Sequence, residues 1–185
     1  MGDFVFPFPG RELALRELSY DYCYEKIPPG DRQGAADRAW EKGAAAARAL
    51  WEETGGEKDF FLIAGRSGLE CRRVSADYVL GGRRYFCEYL SGKGLVTFYT
   101  GSVALWAKEN NLEMEEAENL ILSHEYFHFL EWTKLGLTSR DYQVPMLILG
   151  PLKIGKTGIR ALSEIGAHGF ARTYYEKGKK HETEL

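Results

Sequence analysis

"LILSHEYFHFLEW", residues 120–132, places two of the chain's 4 histidines, His124 and His128, four positions apart in an otherwise apolar run. Read at helical period, Ala117, Leu120, Ile121, His124 and His128 form one stripe, so both imidazoles stand where a core-facing helix carries leucine. A buried polar ring without partners costs about 1–3 kcal/mol, so two on successive turns imply something for them to bind. Four residues rotate a helix by about 400°, leaving the two rings about 40° and one turn apart, which suits the clamping of a single tetrahedral ion. Glu125, about 100° round the helix from His124, lies beside such an ion instead of on it. There a carboxylate can take a proton from a water that zinc has acidified to a pKa near ~7 and hand it to a leaving amine. His124-Glu125-Tyr126-Phe127-His128 is thus an HExxH motif with a mechanism attached.

A catalytic zinc takes a third protein ligand. An extended HExxHxxGxxH motif does not supply it, because it needs glycine at 131 and histidine at 134, where this chain has Glu131 and Lys134. Farther on, "SEIGAHGFA", residues 163–171, sets Glu164 and His168 four apart on one helical face, and either could ligate.

These residues also carry a resemblance. HEYFHFLE followed by E-x-x-A-x-x-F-A, matched by Glu164, Ala167, Phe170 and Ala171, resembles the ImmA/IrrE-type family of small gluzincin metallopeptidases. The segments IAGRSGLECRR, YFCEYL and GLVTFYT ahead of the motif helix are similar to the family's helix, strand, strand order, and the resemblance spans residues 59–176. It implies that His124, His128 and Glu164 bind Zn2+, that Glu125 is the general base, and that the fold is zincin-like. It also implies that the strand at 95–100 forms the upper lip of the cleft, able to pair with an extended substrate backbone. The chain departs from the family after the second motif, where RTYYEKGKK replaces a leucine-rich run ending in Met-Pro, and no DNA-binding helical module accompanies the domain. The family's regulatory role is therefore not carried over.

Upstream of the motif, periodicity predicts an amphipathic helix over 31–54 ending at Gly55-Gly56, with Ala36, Trp40, Gly43, Ala47 and Leu50 on one face. This helix is expected to back the sheet. Residues 59–66 read as a short helix or strand. Strands over 69–76, 83–90 and 94–100, separated by glycine turns, predict a small, mostly antiparallel sheet. A helical piece over 102–109 precedes the long helix at 112–134, whose early glutamates favour its N-terminal dipole and which Gly136 stops. Residues 137–158 read as loop-rich, and a last helix over 159–176 precedes the charged tail 177–185. The fold class is α+β, a single zincin-like domain over 1–185, with an N-terminal segment (1–58), a catalytic core (59–176) and that tail.

Bulk composition narrows the function. A chain of 185 residues with 44% hydrophobic and 28% charged residues has the make-up of an ordinary folded protein. Its formal charge of -3 argues against a nucleic-acid partner. No apolar stretch is long enough to span a bilayer, the amino terminus has no basic n-region, and three cysteines without CxxC spacing fit a reducing compartment, so the expected location is the cytoplasm, without a membrane partner. The partner is a peptide or protein substrate, and oligomeric state is left unassigned. The rival reading is a non-catalytic, zinc-stabilised binding or regulatory module, and a third is a hydrolase of non-peptide amides.

Several further residues have more than one expectation. His168 is a spare ligand, an oxyanion-stabilising donor or a helix residue in a polar pocket. Glu131, one turn beyond His128, either accepts a hydrogen bond from a ligand histidine or is solvated. Gly166 and Gly169 are expected to let the last helix approach the HExxH helix closely. Tyr126, Tyr142, Tyr174 and Tyr175 are possible phenol donors, with none assigned. Residues 146–154 wall a pocket or cover the core, and Cys87 reads as a small buried apolar residue.

Overall fold

Small residues decide how the helices stack. The computed structural model describes residues 6–183. In chain order it contains α1 (Ala14–Leu18), α2 (Pro29–Thr54), α3 (Phe60–Arg66), β1 (Glu70–Val74), β2 (Tyr78–Leu80), β3 (Arg83–Tyr85), β4 (Cys87–Leu90), β5 (Leu95–Tyr99), α4 (Thr100–Glu109), α5 (Met114–Leu130), β6 (Gln143–Leu149), β7 (Leu152–Gly158) and α6 (Arg160–Thr183). The reading of the amino terminus rests partly on residues 1–5, and the charged tail ends at 184–185; both lie outside the described residues.

Helix α2 opens on Pro29, pre-set for the first helical turn, and closes on left-handed Gly55 (φ 66°). Its buried face carries Ala36, Ala39, Trp40, Gly43 and Ala47, and it lies along α6, not behind the sheet as expected. The approach is close enough that a Cβ at Gly43 would overlap the carbonyl oxygen of Gly166, and one at Gly169 the carbonyl oxygen of Trp40. Of these two glycines of α6, Gly169 therefore serves α2, whereas Gly166 serves the HExxH helix as expected: a Cβ there would meet the Phe127 ring of α5 at 2.8 Å before the Ala39 carbonyl of α2 at 3.4 Å.

The central sheet has the order β1-β5-β4. Strand β4 pairs antiparallel with β5 (Cys87↔Phe98), but β1 pairs parallel with it (Glu70↔Leu95), so this sheet is mixed, not antiparallel throughout. The run 83–90 is broken at Phe86 into two strands. Strand β3 turns back on β2 around Gly81 and Gly82 (φ 58° and 75°), a two-residue turn with both residues left-handed, while β4 continues to the central sheet. Because β1 and β4 occupy both sides of β5, residues 95–99 have no free edge for a substrate; the edge beside the motif helix is β4. This corrects the lip strand that the resemblance implies.

Residues 143–158 form a second hairpin, β6–β7, turning at Gly150 and Pro151, where a loop was expected. Helix α6 continues through 177–183, so that part of the tail is helical. One apolar cluster fills the space between the sheet, α3, α5 and α6, with Phe60, Val96, Phe98, Leu122, Phe127 and Phe170 at its centre. A second joins α1, α2 and the start of α6 through Leu18, Ile27, Ala36, Leu162 and Ile165. Among the described residues no helix is long and apolar enough to cross a membrane. The architecture is α+β, with α5 held between the sheet and α6.

Candidate metal centre

The core packing of α5 positions the two motif histidines. Ile121, Leu122 and Phe127 face the apolar cluster, and the same rotation turns His124 and His128 toward α6, with ring centroids 5.1 Å apart. There α6 presents Glu164: its Oε2 lies 3.2 Å from His124 Nε2 and its Oε1 3.6 Å from His128 Nε2. One ligand atom from each of the three residues falls within 4.8 Å of the others, and this is the only such group of three among the described residues. A tetrahedral ion with bonds of roughly 2.0–2.1 Å holds its ligand atoms about 3.3 Å apart, so the spacing and the donor set of two imidazoles and a carboxylate fit zinc.

Glu131 fixes the orientation of His128. Its Oε2 is 2.9 Å from His128 Nδ1, and its Oε1 accepts the Thr138 N–H at 2.7 Å and the Ser163 hydroxyl at 2.9 Å. With Nδ1 engaged by the carboxylate, Nε2 is the nitrogen aimed at Glu164. His124 has no such brace: its Nδ1 is buried without a hydrogen-bond partner among the described residues, and Phe8 and His168 pack round its ring.

The electrostatics favour positive charge at this point. Burial pushes His128 toward the neutral form, but the hydrogen bond to Glu131 and the charges of Glu164 and Glu125 outweigh it and bring its pKa to about 9. Glu164 is raised by desolvation, yet the His124 hydrogen bond and the neighbouring imidazoles take it down to about 2. Glu131 moves down as well, the bonds from His128 and Thr138 overcoming its burial.

Glu125 stands on the cleft side. Cys87 Sγ donates to its Oε1 at 3.1 Å, so this cysteine does more than fill space. Burial, followed by the Glu125 charge, pushes the Cys87 thiol well up, which keeps it a proton donor. Two residues along β4 and on the same face, Tyr89 lines a cleft that Glu125 also borders, its phenol raised by burial and by Glu125. Neither role was legible in the sequence, where the period-two spacing of 87 and 89 was the available signal. The four tyrosines considered there are directed elsewhere: Tyr126 pairs with Ser67 at 2.7 Å, Tyr142 with Asp31 at 2.6 Å, Tyr174 with the Glu57 carbonyl at 2.6 Å, and Tyr175 packs on Phe6. His168 sits behind His124, its ring centroid 4.9 Å away and its Nδ1 2.9 Å from Glu17 of α1. Burial holds its pKa down.

Two clefts meet at this centre. The larger, about 660 Å³, is bordered by Glu125, His128, Glu164, Tyr89, Arg140 and Arg160. The smaller, about 310 Å³, reaches Glu125 and Glu164 from the side of His124 and is walled by Phe8, Phe86, Trp106 and Ile121. No family model matches the chain, and no curated protein or solved structure is significantly similar to it.

Proposed function

We propose that this protein is a zinc-dependent metallopeptidase of the gluzincin type, with a zincin-like fold, in which His124, His128 and Glu164 hold the ion and Glu125 is the general base. The observation that carries the reading is the meeting of those three donor atoms at ligand spacing, with Glu125 beside them on an open cleft. When bound, zinc polarises a peptide carbonyl and acidifies water at neutral pH. Glu125 then receives the proton of the attacking water on a carboxylate oxygen and returns it to the nitrogen of the departing amine. Glu131 keeps the His128 ring from rotating, and Cys87 holds the Glu125 carboxylate by a hydrogen bond to Oε1. Tyr89 supplies a protonated hydroxyl to the cleft, where charge develops on the carbonyl oxygen.

Three protein donors facing a cleft support an enzyme over a purely structural ion, which is closed by four. Three unpaired thiols suit a cytoplasmic setting. The test is paired. Metal analysis of the wild type is expected to give one zinc per chain, and Glu125→Gln is expected to retain zinc while losing peptide cleavage. Unchanged turnover in that variant would remove Glu125 as the base, and zinc-loaded wild type that cuts no peptide would leave a binding module.

A further inference from the structure

Hairpin β6–β7 carries its apolar residues into solvent. Val144, near its base, is buried, but Met146, Leu147, Leu149, Leu152 and Ile154 lie between 44% (Ile154) and 61% (Met146) exposed, so these five do not cover the core. The register pairs Leu147 with Ile154 and Leu149 with Leu152, which puts those four side chains on one face of the hairpin, while Met146 belongs to the other. Large apolar side chains therefore project from both faces of the same tip.

The charge around this tip is positive in a chain whose formal charge is -3. Residues 142–163 contain Lys153, Lys156 and Arg160 and no acid. Lys153 and Lys156 are exposed and have no acidic partner among the described residues. Lys26 adds a third ammonium at the edge of β6, donating to the carbonyls of Pro145 at 3.3 Å and Met146 at 2.8 Å. The acids about the base are engaged elsewhere: Glu25 by Arg32, Asp31 by the Tyr142 hydroxyl, Asp141 by Lys42, and Glu164 in the ligand set.

These features suit a lipid surface better than a second copy of the chain. Five side chains about half exposed make a patch within the roughly 300–600 Å² found on ordinary monomers, short of the roughly 800 Å² that each partner contributes to a stable interface. A wedge that is apolar on both faces also lacks one plane for a flat partner, whereas a bilayer surrounds it. The two apolar pairs span about 7 Å along the strands, and Lys156 stands about 7 Å behind the Leu147–Ile154 pair. That depth matches an insertion of about 5–10 Å to the boundary of headgroups and acyl chains, with the lysine stems reaching back to the headgroups.

We propose that β6–β7 docks the protein on anionic phospholipid surfaces, with Leu149 and Leu152 leading into the acyl boundary and Lys153 and Lys156 meeting the headgroups. A surface contact needs no spanning helix, although it departs from the expectation of no membrane partner. Thr157 and Gly158, at the base of the hairpin, border the larger cleft, so docking holds that cleft beside the lipid.

The test sediments the full chain with sucrose-loaded vesicles of phosphatidylcholine containing one-third phosphatidylserine, and with vesicles of phosphatidylcholine alone. Wild type is expected to bind the anionic vesicles at least about tenfold more tightly than Leu149→Ser/Leu152→Ser does. Lys153→Glu/Lys156→Glu, or removal of the phosphatidylserine, is expected to weaken wild-type binding by at least about fivefold. Leu149→Trp keeps the tip apolar and is expected to bind as wild type does. All four positions are exposed, and matched unfolding midpoints check that the variants fold. Wild type left in the supernatant of anionic vesicles, or binding unchanged in both paired variants, would overturn the proposal. A dimer in ultracentrifugation that the serine pair abolishes, with no vesicle binding, would overturn it in favour of a second copy.

Discussion

His128 Nδ1 and Glu131 Oε2 stand 2.9 Å apart at the turn where α5 widens into a π-helical segment, Glu131–Leu135. Such widened turns recur at functional sites because the extra residue re-aims the side chains around it. Here the re-aimed side chain is a carboxylate only 3% exposed that accepts from three donors and locks one imidazole.

Glu131→Ala is therefore expected to weaken zinc binding by about 10- to 100-fold, as measured by competition with a chelator. It also leaves the Thr138 N–H and Ser163 hydroxyl short of a partner, costing about 1–3 kcal/mol of stability in chemical denaturation. An affinity within a factor of two of wild type would show that the brace is irrelevant to the metal.

Tyr89→Phe deletes one hydroxyl from the larger cleft. If that hydroxyl meets the developing oxyanion, kcat drops by about a hundredfold with KM and zinc content nearly unchanged. Steady-state kinetics beside metal analysis decides it, since a purely packing role for Tyr89 predicts almost no change in kcat.

Gly43→Ala drives a methyl group into the Gly166 carbonyl. We expect a loss of about 1–3 kcal/mol in thermal or denaturant unfolding, together with weaker zinc binding, because the helix forced away is the one that carries Glu164. Gly30→Ala, with open space around it on the same helix, is the control and is expected to leave both quantities unchanged.

The thiols give a pH-dependent check on the burial pattern. Burial raises Cys71 to about 11 and Cys87 well above its usual range, and Cys23 is fully buried. A raised thiol pKa means less thiolate at a given pH, so at pH 8 only about one Cys71 side chain in a thousand is ionised. Iodoacetamide followed by mass spectrometry is expected to modify the native chain very slowly and all three cysteines readily in guanidinium. Alkylation of Cys71 should accelerate tenfold per pH unit between 8 and 10. Rapid labelling of Cys87 in the native protein would contradict its place under Glu125.

Much of the centre was legible because its signals are local. His124 and His128 declare themselves by sitting on an apolar stripe, Gly136 ends the helix as read, and Glu131 lies one helical turn from His128, whereas the residues alone left Glu164 and His168 as equal candidates and only the resemblance favoured Glu164. What escaped depends on pairing across the chain. The alternation in 69–76 announces a strand but not that it joins 95–99 in parallel. Pro145 and the left-handed Gly155 (φ 65°) interrupt the β6–β7 alternation and give it the look of a loop. The helical run 177–183 is too polar to show a face. Cys87 and Tyr89 acquire meaning only once β4 is seen as the edge beside Glu125, with β5 enclosed behind it.

Zinc-edge X-ray absorption on the zinc-loaded wild-type protein reads out whether one zinc is held by two imidazoles and one carboxylate with a vertex open to the cleft. The expected spectrum is that of a four-coordinate ion with two imidazole nitrogens and two oxygens at about 2.0–2.2 Å. A sulfur neighbour near ~2.3 Å, which would bring Cys87 into the first shell, or a single imidazole, would contradict it.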